Sequence, residues 1–116
     1  MIKIYGLKNC DTCRKALKWL DGEGIEHAFV DVRKDGIDAN DVKRWLDFVG
    51  LETLLNRRGT TWRGLSDDEK STAESSDAEA IALMAAQPAL IKRPVFETGT
   101  EIFVGFKDAE KAKLQG

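Results

Sequence analysis

The residues best equipped for chemistry in this sequence are two thiols, Cys10 and Cys13, in the run Asn9-Cys10-Asp11-Thr12-Cys13-Arg14. The run follows a short alternating apolar segment and opens a stretch with helical spacing, so Cys10 is expected where a strand hands over to a helix. Backbone N–H groups at a helix start lack internal partners, and the helix dipole places partial positive charge there. Both favour a thiolate, the nucleophilic form of cysteine, and a Cys-x-x-Cys pair is a further setting in which cysteine pKa falls. Zinc needs three or four protein ligands, whereas this chain offers two cysteines and one histidine, His27, in an expected strand. No metal is expected. Cys13, one turn further in and on the apolar stripe, reads equally as a resolving thiol or a core residue.

Positive charge accompanies the thiols at two places. Arg57, Arg58 and Arg63 lie in the polar stretch 56–63, where each reads first as a solvated loop residue. Arg93 stands between Leu90-Ile91 and Pro94-Val95-Phe96, where a charged side chain is out of place unless it faces a site or a partner. Pro94 is either an ordinary strand-opening proline or a cis-proline candidate that aims the preceding backbone at the cysteine. Guanidinium groups converging on a thiolate suit a tetrahedral oxyanion or a carboxylate-bearing thiol such as glutathione. His27, the tryptophans Trp19, Trp45 and Trp62, and the acidic run Asp67-Asp68-Glu69 read as structural.

The elements that must position these groups follow from periodicity. Ile2 and Ile4 alternate with Lys3 and Tyr5, predicting a first strand punctuated by Gly6. Cys13, Ala16, Leu17 and Leu20 fall at i, i+3, i+4 and i+7, predicting a helix that ends by Gly22 and Gly24. Ile25 to Val32 reads as a second strand leading to the polar turn Arg33-Lys34-Asp35-Gly36, which makes a parallel βαβ unit. The middle is helical. Asp38 caps a helix with the stripe Val42, Trp45, Leu46 and Val49; Leu51 to Leu55 suits a short turn of helix; Ser66 with Glu69 forms a capping-box sequence; and another helix starts near Asp77, all before Pro88. Residues 56–63 read as a loop. Val95-Phe96 and Ile102-Phe103-Val104 flank the turn Thr98-Gly99-Thr100 as an antiparallel hairpin, and a short polar helix runs from Lys107 to Leu114. The fold class is therefore α/β, a small mixed sheet with helices on its faces, and a Cys-x-x-Cys at the first helix of such a unit reads as thioredoxin-like.

A chain of 116 residues with 42% hydrophobic composition has the size of one domain with a real core. Its net charge of -2 provides no global basic field, so nucleic acid is not an expected direct partner. The apolar runs fall far short of a bilayer span and no basic-then-apolar signal region opens the chain. A soluble cytoplasmic protein, acting as a monomer, is expected, and in that reducing compartment a close thiol pair is catalytic or redox-sensing rather than a scaffold.

Three runs in order carry a resemblance over essentially the whole chain: Tyr5-Gly6-Leu7-Lys8-Asn9-Cys10-Asp11-Thr12-Cys13, Leu54-Leu55-Asn56-Arg57-Arg58-Gly59-Thr60-Thr61-Trp62, and Pro88-Ala89-Leu90-Ile91-Lys92-Arg93-Pro94-Val95. The sequence resembles the arsenate reductase (ArsC)/Spx family, in its YffB-like branch. The resemblance implies a single thioredoxin-like domain over 1–116, with a helical insertion at about residues 37–87 between the βαβ and ββα units. It implies Cys10 as catalytic nucleophile, with arginines matching Arg93 and the Arg57-Arg58 pair, of which Arg58 is favoured. Asn9, Thr12, Arg57, Arg93 and Pro94 would then line the substrate or glutathione site. Glutathione is the implied co-substrate, glutaredoxin an implied partner, and no cofactor is bound.

Two departures qualify the match. The reductases' third arginine falls where this chain has Gly105-Phe106-Lys107, so thiol chemistry with glutathione is favoured over arsenate as substrate. Cys13 is absent from the reductases and resembles Spx, whose Cys-x-x-Cys is a disulfide switch in a regulator that binds RNA polymerase. The leading expectation is a glutathione-dependent thiol oxidoreductase; the alternative is a redox-switch regulator.

Overall fold

The computed structural model describes residues 1–115, and its chain divides into two compact units, Met1–Gly36 together with the chain from Arg93 onward, and Ile37–Lys92. The first is built on strand β1 (Ile2–Gly6). It pairs in parallel with β2 (His27–Asp31), in the register Ile4 opposite Phe29 and Gly6 opposite Asp31. On its other edge it pairs antiparallel with β3 (Val95–Glu97), which pairs in turn with β4 (Ile102–Val104). The strand order β2-β1-β3-β4 makes a mixed sheet.

The register explains which face is apolar. Phe29, Ile4, Phe96 and Phe103 occupy matched positions on neighbouring strands and so project to the same side. Against that row pack Ala16 and Leu20 of helix α1 (Asp11–Gly22) and Leu114 of the last helix, joining one core cluster in which Phe96 stacks on Phe103 at 5.3 Å between ring centroids. The apolar stripe read from the sequence of α1 is thus the face that meets the sheet.

The second unit is helical: α2 (Ala39–Val49), α3 (Leu51–Leu54), α4 (Thr60–Arg63), α5 (Asp67–Ser75) and α6 (Asp77–Ala86). Side-chain caps set three of its starts. Asp38 and Asp41 form a reciprocal capping box on α2, Ser66 and Glu69 another on α5, and Ser76 Oγ accepts from Glu79 N–H at 3.2 Å on α6. Helices α2 and α5 both pack on α6, where Met84 is fully buried. A 3₁₀ turn at Pro88–Leu90 then leads back to α3: Asn56 N–H donates to Leu90 C=O at 2.7 Å and Lys92 N–H to Leu54 C=O at 2.8 Å. The unit therefore runs to Lys92. The chain ends in α7 (Asp108–Gln115).

One local expectation changes: residues 60–63 form a helical turn rather than continuing the loop, started by Gly59 without a side-chain cap. The helices end before Pro88 as expected, and Pro88 then opens a turn of 3₁₀ helix. The order βαβ, helical segment, ββα matches the reading of the sequence, and the sheet unit has the thioredoxin-like arrangement. Among the described residues no helix is long and apolar enough to cross a membrane.

Candidate functional site

Cys10 is the N-cap of α1, with extended backbone (φ -92, ψ 122); its C=O accepts the first helical bond from Arg14 N–H at 3.0 Å, and its own N–H donates to Leu7 C=O at 3.2 Å. The cysteine is held from both sides, by the loop leaving β1 and by the helix it starts. The residue is half-buried. Partial burial opposes ionisation, but the main-chain N–H of Cys13, the Cys13 thiol and the Arg93 guanidinium all hydrogen-bond the sulfur, and the charge of Arg93 adds to them, so the Cys10 thiol lies below its ordinary value.

Cys13 is its opposite. It is buried, and the position a Cβ would occupy on Gly6 lies only 2.5 Å from its Sγ, so the sulfur rests directly on the end of β1. Burial pushes the Cys13 thiol up to about 12, and the neighbouring Cys10 adds to the rise, against a lowering hydrogen bond from the Leu7 main chain and the charge of Arg93. Cys13 thus keeps its proton and shares it with Cys10. The sequence left it between core residue and resolving thiol; its burial is that of a core residue, and its sulfur lies beside Cys10.

Arg93 begins the second segment of the sheet unit, with Nε buried, and its bond to Pro94 is cis. Pro94 C=O accepts from Gly105 N–H at 2.9 Å. Asn9 and Thr12 are exposed on either side of Cys10, with Asn9 C=O accepting from Arg14 at 3.3 Å. The structure therefore brings Cys10, Cys13 and Arg93 together, with Asn9 and Thr12 flanking in the chain. Arg57 and Arg58 belong to the helical unit. Arg57 donates to Glu74 at 3.1 Å and to Glu52 at 3.2 Å and lies over the Trp62 ring, whereas the Arg58 side chain is exposed.

Phe106 is committed elsewhere: its ring meets Trp19 edge-on at 5.6 Å, lies 6.3 Å from Phe96, and carries Lys111 Nζ at 5.1 Å. Its place in the core cluster gives this position a packing role. Two residues of the site escaped the sequence reading. Gly6, read as punctuation, is the only residue small enough to sit beneath Cys13. Asp31, at the end of β2, is buried and accepts from Arg33 and Lys34 N–H; an aspartate just before a polar turn was the available signal.

The ArsC family matches residues 5–114 of this sequence. The chain belongs to the ArsC family. Within that family it is 41% identical over 110 residues to an uncharacterized protein of Haemophilus influenzae, spanning 95% of each chain. The solved structure of a YFFB protein superposes with a TM-score of 0.92 at 43% identity, covering all of both chains. The global transcriptional regulator Spx 2 of Bacillus anthracis is 24% identical over 98% of this chain and 86% of its own. This ArsC-family chain is thus similar in sequence to a transcriptional regulator as well as to a protein of uncharacterized function.

Proposed function

We propose that this protein is a thiol oxidoreductase of the cytoplasm that exchanges disulfides with glutathione, using Cys10 as its nucleophile. The observation that carries the reading is the opposite perturbation of two adjacent thiols, Cys10 lowered beside Arg93 and the helix start, Cys13 raised to about 12. The Cys10 thiolate attacks one sulfur of a glutathione mixed disulfide; a Cys10–glutathione disulfide forms, and the other sulfur leaves as a thiolate that takes up a proton. A second glutathione thiolate then attacks the glutathione sulfur, giving oxidised glutathione and restoring the Cys10 thiolate. Alternatively Cys13 loses its proton, bonds to Cys10 and expels glutathione thiolate. Arg93 supports the thiolate and offers a charged donor to a substrate carboxylate.

The test combines pH-resolved alkylation, read by mass spectrometry, with NMR titration of glutathione. Cys10 should titrate below free cysteine, shifts should cluster at Cys10 and Arg93, and exchange activity should vanish in Cys10→Ser. Two ordinary thiols, or no response to glutathione, would sink the reading. The Cys13 thiol hydrogen-bonded to Cys10 favours one further reading, a redox-switch regulator like Spx. That reading expects a Cys10–Cys13 disulfide on mild oxidation, no glutathione binding, and capture of RNA polymerase.

A further inference from the structure

We infer that Arg14 is a specificity-determining residue of the Cys10 site, binding a carboxylate of the thiol that exchanges there; the inference rests on the thiol reading of the site and names the charge of its substrate. Arg14 lies one turn into α1, and its N–H donates to Cys10 C=O at 3.0 Å. Side chains on a helix lean toward its N-terminus, so a residue four places on reaches back over the one below it. Arg14 does so. Its Nη2 donates to Asn9 C=O at 3.3 Å and to Asp11 Oδ1 at 3.2 Å, the residues on either side of Cys10 in the chain. The guanidinium is thereby held at the level of the nucleophile.

Helix stability does not account for that position. The dipole of α1 favours anions at this end and cations at the other. An ion pair between side chains as exposed as those of Arg14 (62%) and Asp11 (87%) adds little. Asn9 precedes the helix, so its C=O is no part of the helical ladder. What the two bonds fix is the aim of the guanidinium. They also complete the hold on the peptide unit before Cys10, whose N–H donates to Leu7 C=O at 3.2 Å while its C=O accepts from Arg14. Nη2 commits both its hydrogens there, which leaves the N–H groups of Nε and Nη1 with no partner among the described residues, on a side chain that presents them to solvent beside the thiol. Glutathione carries a carboxylate at each end. Arg93 takes one in the proposed reaction, and a guanidinium already oriented binds the other at small entropic cost.

The test measures by mass spectrometry, at neutral pH in the full chain, how fast Cys10 is consumed by oxidised glutathione, by the neutral bis(2-hydroxyethyl) disulfide and by the cationic cystamine. In each case the Cys10 thiolate bonds to one sulfur and the other leaves as a thiolate. The thiolate fraction of Cys10 enters all these rates alike, so their ratios report the substrate contact and not the acidity of the thiol. Wild type should favour oxidised glutathione over the neutral disulfide more strongly than a free thiol does, and less so as salt is raised. Arg14→Gln should lower that ratio about three- to tenfold, the weight of one partly screened charge-assisted hydrogen bond. Arg14→Glu should lower it further and favour cystamine, and Arg14→Lys, which keeps the charge, should recover part of the loss. A ratio unmoved in Arg14→Gln, an equal slowing with every disulfide, or a lysine variant no better than the glutamine one overturns the inference. A wild-type Cys10 that reacts with none of them overturns the thiol reading instead. Arg14 is then judged with S-methylglutathione, which cannot exchange: a shift of the Arg14 Nε–H resonance upholds its carboxylate contact, and a still resonance overturns it.

Discussion

A single methyl group on Gly6 should damage both the fold and the thiol. An alanine Cβ there would lie 2.5 Å from Cys13 Sγ, 3.3 Å from Cys13 Cβ and 3.5 Å from Phe29 Cε1. Favourable separations are about 3.5–4.0 Å, so the sulfur contact is short by roughly 1 Å or more. Gly6 lies in a strand with φ outside the left-handed region, so the objection is space and not backbone conformation. Either the Cys13 sulfur turns out of its buried seat, losing its bonds to Leu7 and Cys10, or the first turn of α1 lifts. Overpacking of this kind costs about 1–3 kcal/mol, and the stiffer unfolded chain returns about 0.4–1 kcal/mol. A net loss of about 1–2 kcal/mol lowers the melting temperature by about 4–8 °C at this chain length. Thermal melts of wild type, Gly6→Ala, Cys13→Ala and the double variant form the assay. Removing Sγ leaves the 3.3 Å contact as the tightest, so the cycle should show a favourable coupling of about 1 kcal/mol or more. A Gly6→Ala protein that melts with the wild type, or singles that simply add, would refute the packing argument.

Arg93→Met should raise the Cys10 alkylation midpoint, because it removes a hydrogen bond and a positive charge from the sulfur; an unmoved midpoint would leave the helix start and the Cys13 thiol as the causes. The two thiols should give stability opposite pH slopes. The lowered Cys10 contributes stability that is present above the unfolded thiol value and lost as pH falls through its folded one. The unfolded chain ionises Cys13 at its ordinary value while the folded chain holds that proton to about 12, so stability drains away as pH rises across that window. Urea melts between pH 8 and 10 should show this decline, and Cys13→Ala should abolish it. Asp38→Ala should cost about 1 kcal/mol in the same melts, since Asp41 N–H at 3.0 Å loses its cap. Phe106→Arg should destabilise by about 1–3 kcal/mol through its two aromatic contacts, with Phe106→Leu losing less.

Local signals were legible where one segment settles its own structure. The stripe Cys13, Ala16, Leu17 and Leu20 predicted α1 and its buried face, Asp38 and Ser66 marked two helix starts, and Thr98-Gly99-Thr100 marked the hairpin. Helix α4 escaped because four residues after an uncapped Gly59 are too few to show a period. Arg93 was legible as a charge out of place among apolar neighbours, and its approach to Cys10 follows only once β3 lies beside β1. Asp31 and Phe106 show the limit most clearly. The polar turn after Asp31 signals its hydrogen bonds but not its burial; the β1–β2 register puts it opposite Gly6, and the aromatic seat of Phe106 is assembled from α1 and β3.

The ladder between β1 and β3 joins Lys3 to Glu97 and so spans nearly the whole chain. Closing so distant a contact adds little to the equilibrium cost, about 0.6 kcal/mol per doubling of loop length, but non-local pairing slows folding. A chain leaving the ribosome N-terminus first can lay β1 beside β2 and complete the helices of 37–92 while β3 has yet to be made. Arg93 travels in that late segment. Until it arrives Cys10 has the helix start and Cys13 beside it but neither its guanidinium nor a finished sheet behind it, so the full lowering of its thiol is reached only with the last strands.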